Sequence, residues 1–64
     1  MSGIKYIIKV VGNPDKYVHM INNSIMLLNL KDNPLTKSTF YNNEVNWILS
    51  NFEIGNFIIV EVYK

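Results

Sequence analysis

The stretch Ile4-Lys5-Tyr6-Ile7-Ile8-Lys9-Val10-Val11 decides the fold of this 64-residue chain. Its side chains alternate, so that one face carries Ile4, Tyr6, Ile8 and Val10 and the other carries Lys5, Ile7, Lys9 and Val11. A period of two predicts a β-strand over residues 4–11. Because a single strand is not stable alone, the remainder of the chain is expected to pair with it and to cover one of its faces.

Polar breaks on the C-terminal side of this strand predict two hairpins. Gly12-Asn13-Pro14-Asp15 has the composition of a turn, and residues 16–21 then form a returning strand. Asn22-Asn23-Ser24 predicts a second turn, because asparagine tolerates the left-handed conformation, and residues 25–30 follow as a third strand. Helix is the alternative for 25–30, since Met and Leu are good helix formers. Lys31-Asp32-Asn33-Pro34 closes this segment.

The apolar period changes to 3.6 between residues 41 and 52 and predicts a helix there. Its apolar face is formed by Val45, Ile48, Leu49 and Phe52. Asn42 or Asn43 is the expected N-cap, and Glu44 in the first turn complements the helix dipole. Gly55 is expected to end the helix in the left-handed conformation.

Residues 57–63 complete the sheet as a fourth strand. They alternate again, with Ile58, Val60 and Val62 expected to face the helix and Phe57, Ile59, Glu61 and Tyr63 to face away. The order β, β, β, α, β predicts a single α+β domain over residues 1–64. We expect a four-stranded, mainly antiparallel sheet with one helix on one face.

Composition argues against several classes of protein and leaves a nucleic-acid binder as a disfavoured alternative. With six lysines, no arginine and a net charge of +1, the chain lacks the basic field and the guanidinium groups typical of nucleic-acid binders. The absence of cysteine and the single His19 argue against disulfides, a zinc site or a bound cofactor, and fit a reducing cytoplasm. No segment has the length and apolar character of a membrane span. Oligomerisation therefore remains as the usual way to stabilise so small a domain.

The sheet face away from the helix is expected to be too apolar for solvent. It would carry Ile7, Val11, Phe57, Ile59 and Tyr63. A patch of this kind typically marks an interface, and we expect a homodimer or a protein partner to cover it, so that Ile59→Lys would dissociate the dimer. The alternative is that the connection over residues 31–40 folds across this face.

The chain has no recognisable catalytic set. His19 has no Cys or second His as a partner and is expected to face solvent on its strand. Glu61 is expected to pair across strands with Lys5 or Lys9, which sets register and performs no chemistry. Trp47 is expected either to flank the core or to anchor a partner. In the second case it would belong to an exposed recognition surface formed by Tyr41, Asn42, Asn43, Asn46 and Trp47.

Three segments and the composition resemble very short phage-encoded proteins of low-GC hosts. The segments are K-Y-V at 16–18 after a lysine-flanked first strand, T-F-Y-N-N-E at 39–44 and F-I-I-V-E-V-Y-K at 57–64. The composition, with ten asparagines and no alanine, matches AT-rich codons. In size, lack of cysteine and expected dimerisation the chain is similar to phage proteins that antagonise the Hachiman defence system.

This resemblance implies a non-enzymatic inhibitor in the cytoplasm of a bacterial host. Such an inhibitor would bind and block a defence protein. The alternative is a small structural or assembly subunit of a larger complex.

Overall fold

The computed structural model has the predicted α+β architecture, with four antiparallel strands in one sheet and one α-helix. It describes residues 3–30 and 33–63, so the part of the predicted closing segment at Lys31 and Asp32 lies outside the described residues. The strands are β1 (Tyr6–Val10), β2 (Asn13–Ile21), β3 (Ser24–Leu28) and β4 (Ile58–Val62), in the spatial order β3-β2-β1-β4. This order leaves β3 and β4 as the two edges of the sheet.

The strand boundaries differ from prediction at the first turn. The turn occupies Val11 and Gly12, and Gly12 has a φ of 79°, a conformation that glycine adopts without steric cost. β2 therefore already begins at Asn13, inside the predicted turn. The register of β1 against β2 shifts between Lys9 and Val10, where one step along β1 lies opposite four steps along β2, from Tyr17 to Asn13.

The second hairpin follows the predicted chemistry. Asn22 and Asn23 both have positive φ, 50° and 65°, and they join Ile21 to Ser24 as a two-residue loop. Positive φ at both loop residues matches the twist of the flanking strands, and asparagine is among the residues that adopt it most readily. The predicted strand is present, but it spans residues 24–28 and not 25–30, and the helical alternative for this segment is wrong.

The helix α1 spans Asn42–Asn51, but its ends are not those predicted. Tyr41 is the N-cap residue, in place of Asn42 or Asn43, and its backbone N–H donates to Glu44 Oε1 at 2.8 Å. At the other end, Phe52 is extended and its N–H bonds the carbonyl oxygen of Ile48. Gly55 instead begins a short 3₁₀ turn over Gly55–Phe57 without positive φ, so its predicted role as a left-handed helix cap is wrong.

The core is small and lies between α1 and the middle strands. Ile8 of β1 and Val18 of β2 are buried against Val45 and Ile48 of α1, with Phe40 from the connection completing the cluster. Leu49, predicted to share this helix face, is exposed. A ten-residue helix is about 15 Å long. It covers the centre of the sheet and leaves the edge strand β4 largely open.

The connection between β3 and α1 joins the ends of the two middle strands. Backbone N–H and carbonyl groups of Tyr6 and Phe40 bond each other at 2.7 and 2.8 Å, and Met20 and Lys37 do the same at 2.8 and 2.9 Å. The same connection reaches His19. The sequence predicts that His19 faces solvent, but the side chain is fully buried, so that prediction is wrong. The connection considered from sequence as a local cover is therefore bonded to β2 and the start of β1, but four of the five residues that it would have hidden are exposed.

Candidate protein-binding surface

Strand β4 is exposed on both of its faces. On the helix side, Val60 and Val62 are 38% and 50% exposed, which corrects the prediction that both belong to the core. On the other side, Ile59 is 45% exposed. Both faces are open because β4 lies at the sheet edge, beyond the two strands whose Ile8 and Val18 contact α1. Exposed apolar side chains on two faces of one strand are typical of an interaction site.

Four of the five residues predicted on the apolar sheet face are exposed together. Register places them on one face along β4 and the turn beside it: Val11, Phe57, Ile59 and Tyr63. Phe57 is 63% and Val11 51% exposed, and they are neighbours because the Val11 N–H donates to the Phe57 carbonyl at 2.9 Å. Ile7, the fifth residue, is 6% exposed, so its predicted place on an accessible interface is wrong.

The charges beside this apolar surface neutralise each other. Lys9 Nζ lies 2.9 Å from Glu61 Oε1, which confirms the predicted cross-strand pair and selects Lys9 over Lys5. The hydrogen bond to Glu61 raises the pKa of Lys9 above its ordinary value, while partial desolvation acts in the opposite direction. The apolar side chains of β4 are therefore bordered by an ion pair whose two charges offset each other.

A second exposed surface lies on α1. The structure places all the predicted recognition residues at solvent: Tyr41, Asn42, Asn43, Asn46 and Trp47. Trp47 is half-exposed and meets Phe52 edge to face, with ring centroids 6.0 Å apart. The Asn51 side-chain amide donates to the Trp47 carbonyl, and Lys5 lies over the Tyr41 ring at 5.3 Å from its centre. Trp47 thus both flanks the core and presents a face to solvent.

A polar groove of about 630 Å³ lies beside the start of α1 and has no counterpart in the sequence predictions. Its walls include Lys5 and the consecutive residues Thr36, Lys37, Ser38 and Thr39. Lys37 is paired with Glu44, and Lys5 contacts Tyr41, so both ammonium groups already have partners in the chain. The neutral Tyr41 ring does not offset the charge of Lys5, so the groove keeps one ammonium charge, while that of Lys37 is balanced by Glu44.

His19 is part of the structural framework. Its Nδ1 lies 2.7 Å from Thr36 Oγ1, and its Nε2 lies 2.6 Å from the Leu30 carbonyl oxygen. Both ring nitrogens are therefore occupied in tying the connection to β2. Within residues 3–30 and 33–63, no group of three or more His, Cys, Asp or Glu side chains is placed to hold a metal ion. Nor is any helix in that part of the chain long and apolar enough to cross a membrane.

Sequence reasoning missed the contribution of Val60 and Val62 to the exposed surface. Their alternation with Ile59 and Glu61 is that of any half-buried strand, so nothing local marks them as accessible. The shortness of the helix is the feature of the sequence that could have indicated it. A helix of about 15 Å cannot cover the full length of four strands spaced roughly 4.8 Å apart.

No family model, curated protein or solved structure matches this chain.

Proposed function

We propose that this protein is a non-enzymatic binding protein that acts as a small homodimer and blocks a bacterial anti-phage defence protein. It would work by occupying a surface of its target in the cytoplasm of the bacterial host. The observation that carries the binding part is the exposure of β4 on both faces. The class of target is supported by the resemblance of the sequence to short phage-encoded inhibitors.

Binding through β4 would depend mainly on apolar contact. Phe57, Ile59 and Val62 are each at least 45% exposed, and aromatic side chains supply large contact areas at interfaces. The Lys9–Glu61 pair leaves this surface neutral. Association is therefore expected to depend only weakly on salt, unlike association steered by a charged patch.

The α1 surface offers a separate place for the target. Trp47 packs edge to face against Phe52, and Trp is enriched among the residues that dominate binding energy. Asn42, Asn43 and Asn46 add uncharged hydrogen-bonding groups around it. A dimer formed through β4 would leave this helix surface accessible for a defence protein.

Co-purification and a protection assay test the proposal. A tagged copy is expected to retain a defence protein from cells carrying active defence systems, and to restore phage growth in those cells. Trp47→Ala should reduce both effects. Leu35→Ala, which removes another exposed apolar side chain, in the connection, should not. A wild-type chain that retains no defence protein and rescues no phage in any defended strain would refute the proposed target.

The size of the core favours one alternative, a subunit of a larger assembly. Only six apolar side chains of the described residues are buried: Ile7, Ile8, Val18, Phe40, Val45 and Ile48. So small a core gives marginal stability and would benefit from a permanent partner. An assembly subunit would show non-cooperative unfolding when purified alone and a cooperative transition when expressed with its partner.

A further inference from the structure

Within residues 3–30 and 33–63, alternate residues of β4 have main-chain groups on its outer edge that bond no other strand. The Tyr63 N–H donates to the Lys5 carbonyl at 2.8 Å, and the Val11 N–H donates to the Phe57 carbonyl at 2.9 Å. Antiparallel strands alternate between residues that bond the neighbour and residues that point away from it. Odd-numbered residues of β4 therefore bond β1, while Ile58, Val60 and Val62 direct their N–H and carbonyl groups outward.

In the part of the chain that the structure describes, this edge has none of the features that usually prevent strand pairing. Natural sheet edges are protected by lysine, proline, a bulge or a covering segment. The β4 sequence Ile-Ile-Val-Glu-Val contains neither Lys nor Pro, and its register against β1 is regular over all five pairs. Its single charge, Glu61, is already paired with Lys9. The edge is thus ready to accept another strand.

We propose that β4 pairs antiparallel with β4 of a second copy, with the two-fold axis at Val60, to form one continuous eight-stranded sheet. This inference rests on the homodimer of the proposed function and specifies how it is built. Val60 lies opposite the partner's Val60, and Ile58 lies opposite the partner's Val62. All three outward-directed residues then exchange main-chain hydrogen bonds, about six in total.

Side-chain chemistry supports this register. With the axis at Val60, Phe57, which directly precedes β4, lies level with the partner's Tyr63, which directly follows it, so an aromatic pair forms at each end of the paired strands. The β-branched residues pair with each other on the helix side, and Ile59 faces the partner's Glu61. No like charges lie directly opposite each other.

Neighbouring registers are less favourable. Moving the axis to Glu61 sets the two Glu61 carboxylates directly opposite each other, which is destabilising. Moving it to Ile59 sets Phe57 against the partner's Glu61 and loses the aromatic pair. In either case one of the three outward-directed residues no longer has its equivalent within the paired strands, so the number of hydrogen bonds falls.

The other edge, β3, is a poorer self-partner. Ile21 and Ser24 close a two-residue hairpin, so Ser24, Met26 and Leu28 bond β2, and only Ile25 and Leu27 direct their groups outward. A β3 pair would therefore make about four main-chain hydrogen bonds against six for β4.

The β4 edge alone is too small for a stable interface. Stable interfaces bury about 800 Å² on each partner, more than one strand edge supplies, so side chains on both faces of β4 must contribute. We expect association at micromolar concentration.

Single-cysteine variants test both the pairing and its register, because the chain has no cysteine of its own. In the proposed dimer, a cysteine at 60 meets its equivalent at a Cα separation of about 5.5 Å, which suits a disulfide. A cysteine at 61 is diagonal to its equivalent at about 7–8 Å, which is too far. Under mild oxidation, Val60→Cys is expected to form a covalent dimer at least tenfold faster than the matched control Glu61→Cys.

Sedimentation of two further variants separates edge pairing from face-to-face packing. Val60→Pro removes an outward N–H without removing a bond to β1 and should give a folded monomer. Ile59→Lys places an ammonium opposite the partner's Glu61 and should preserve the dimer, whereas in a face-to-face dimer it would break the interface. Circular dichroism checks that each variant is folded.

Three results would overturn the inference. The first is a wild type that stays monomeric at 100 micromolar. The second is faster cross-linking of Glu61→Cys than of Val60→Cys. The third is a dimer that dissociates in the Ile59→Lys variant but persists in the Val60→Pro variant. Each is measured on the purified chain alone. Failure here therefore leaves the retention of a defence protein as a separate, still measurable result.

Discussion

Removing the Thr36 hydroxyl is expected to destabilise the domain through His19. Nε2 of His19 faces the Leu30 carbonyl oxygen, which only accepts, so Nε2 carries the donated hydrogen. In the neutral ring, Nδ1 then accepts from the Thr36 hydroxyl at 2.7 Å. Thr36→Val keeps the branched shape of the side chain but leaves Nδ1 without this partner inside the protein.

The size of the effect follows from burial. His19 is fully buried, and leaving one buried polar atom unpaired costs about 1–3 kcal/mol. A domain of this length has a total stability of roughly 3–10 kcal/mol, so the loss is a large share of it. The melting temperature should fall by roughly 5–20 °C, at about 4–8 °C per kcal/mol.

Thermal and urea unfolding measured by circular dichroism provide the assay, at one fixed protein concentration because association would shift the midpoint. Thr36→Ser retains the hydroxyl and is expected to stay within about 1 kcal/mol of wild type. His19→Ala removes both hydrogen bonds and leaves a ring-sized void, at a cost on the order of 3–5 kcal/mol. If Thr36→Val and Thr36→Ser unfold at the same midpoint, the His19–Thr36 contact does not hold the connection and the reasoning fails.

Three further predictions concern the acid stability, the second hairpin and the helix surface. Burial opposes ionisation of Glu44, but Lys37 and the Tyr41 N–H outweigh it and hold the pKa of Glu44 below its ordinary value. Glu44 therefore adds stability above its unfolded pKa that is lost as the pH falls through the folded value. Glu44→Gln should lower stability at neutral pH by up to about 1 kcal/mol after solvent screening and flatten this acid dependence in urea titrations. Asn23→Gly should stabilise the hairpin by about 0.5–1 kcal/mol, because glycine adopts its φ of 65° more readily, whereas Asn23→Val should destabilise it; equal midpoints for both variants would contradict this. Trp47→Ala should remove the contact with Phe52 and weaken target retention at least tenfold, and unchanged retention would exclude α1 as the recognition surface.

Much of the fold could be predicted from local pattern. Alternation over residues 4–11 and 57–63, the asparagine pair at 22–23 and the 3.6 period after Tyr41 depend only on neighbours a few positions apart. These features correctly predicted four strands, one helix and their order. The helix ends were predicted less well. Asn42 and Asn43 both have side chains suitable for an N-cap, so the residue types alone pointed to them and not to Tyr41. Tyr41 occupies the cap position through the hydrogen bond of its N–H to Glu44.

The accessible surface could be predicted only in part. The sequence indicated an excess of apolar side chains on the sheet, and Val11, Phe57, Ile59 and Tyr63 are indeed exposed. It could not show that Ile7 is buried or that Val60 and Val62 are open, because alternation assigns a side chain to a face and says nothing about what lies over that face.

The sequence by itself determined which residues form strands, which form the helix, and which side chains share a face. Only the tertiary structure decided that β4 lies at an edge, that α1 covers β1 and β2, and that His19 is enclosed by the connection. The physical reason is range. Secondary structure depends on contacts between residues two to four positions apart, whereas exposure depends on elements packed from far along the chain, such as β4, which pairs with β1 some fifty residues earlier.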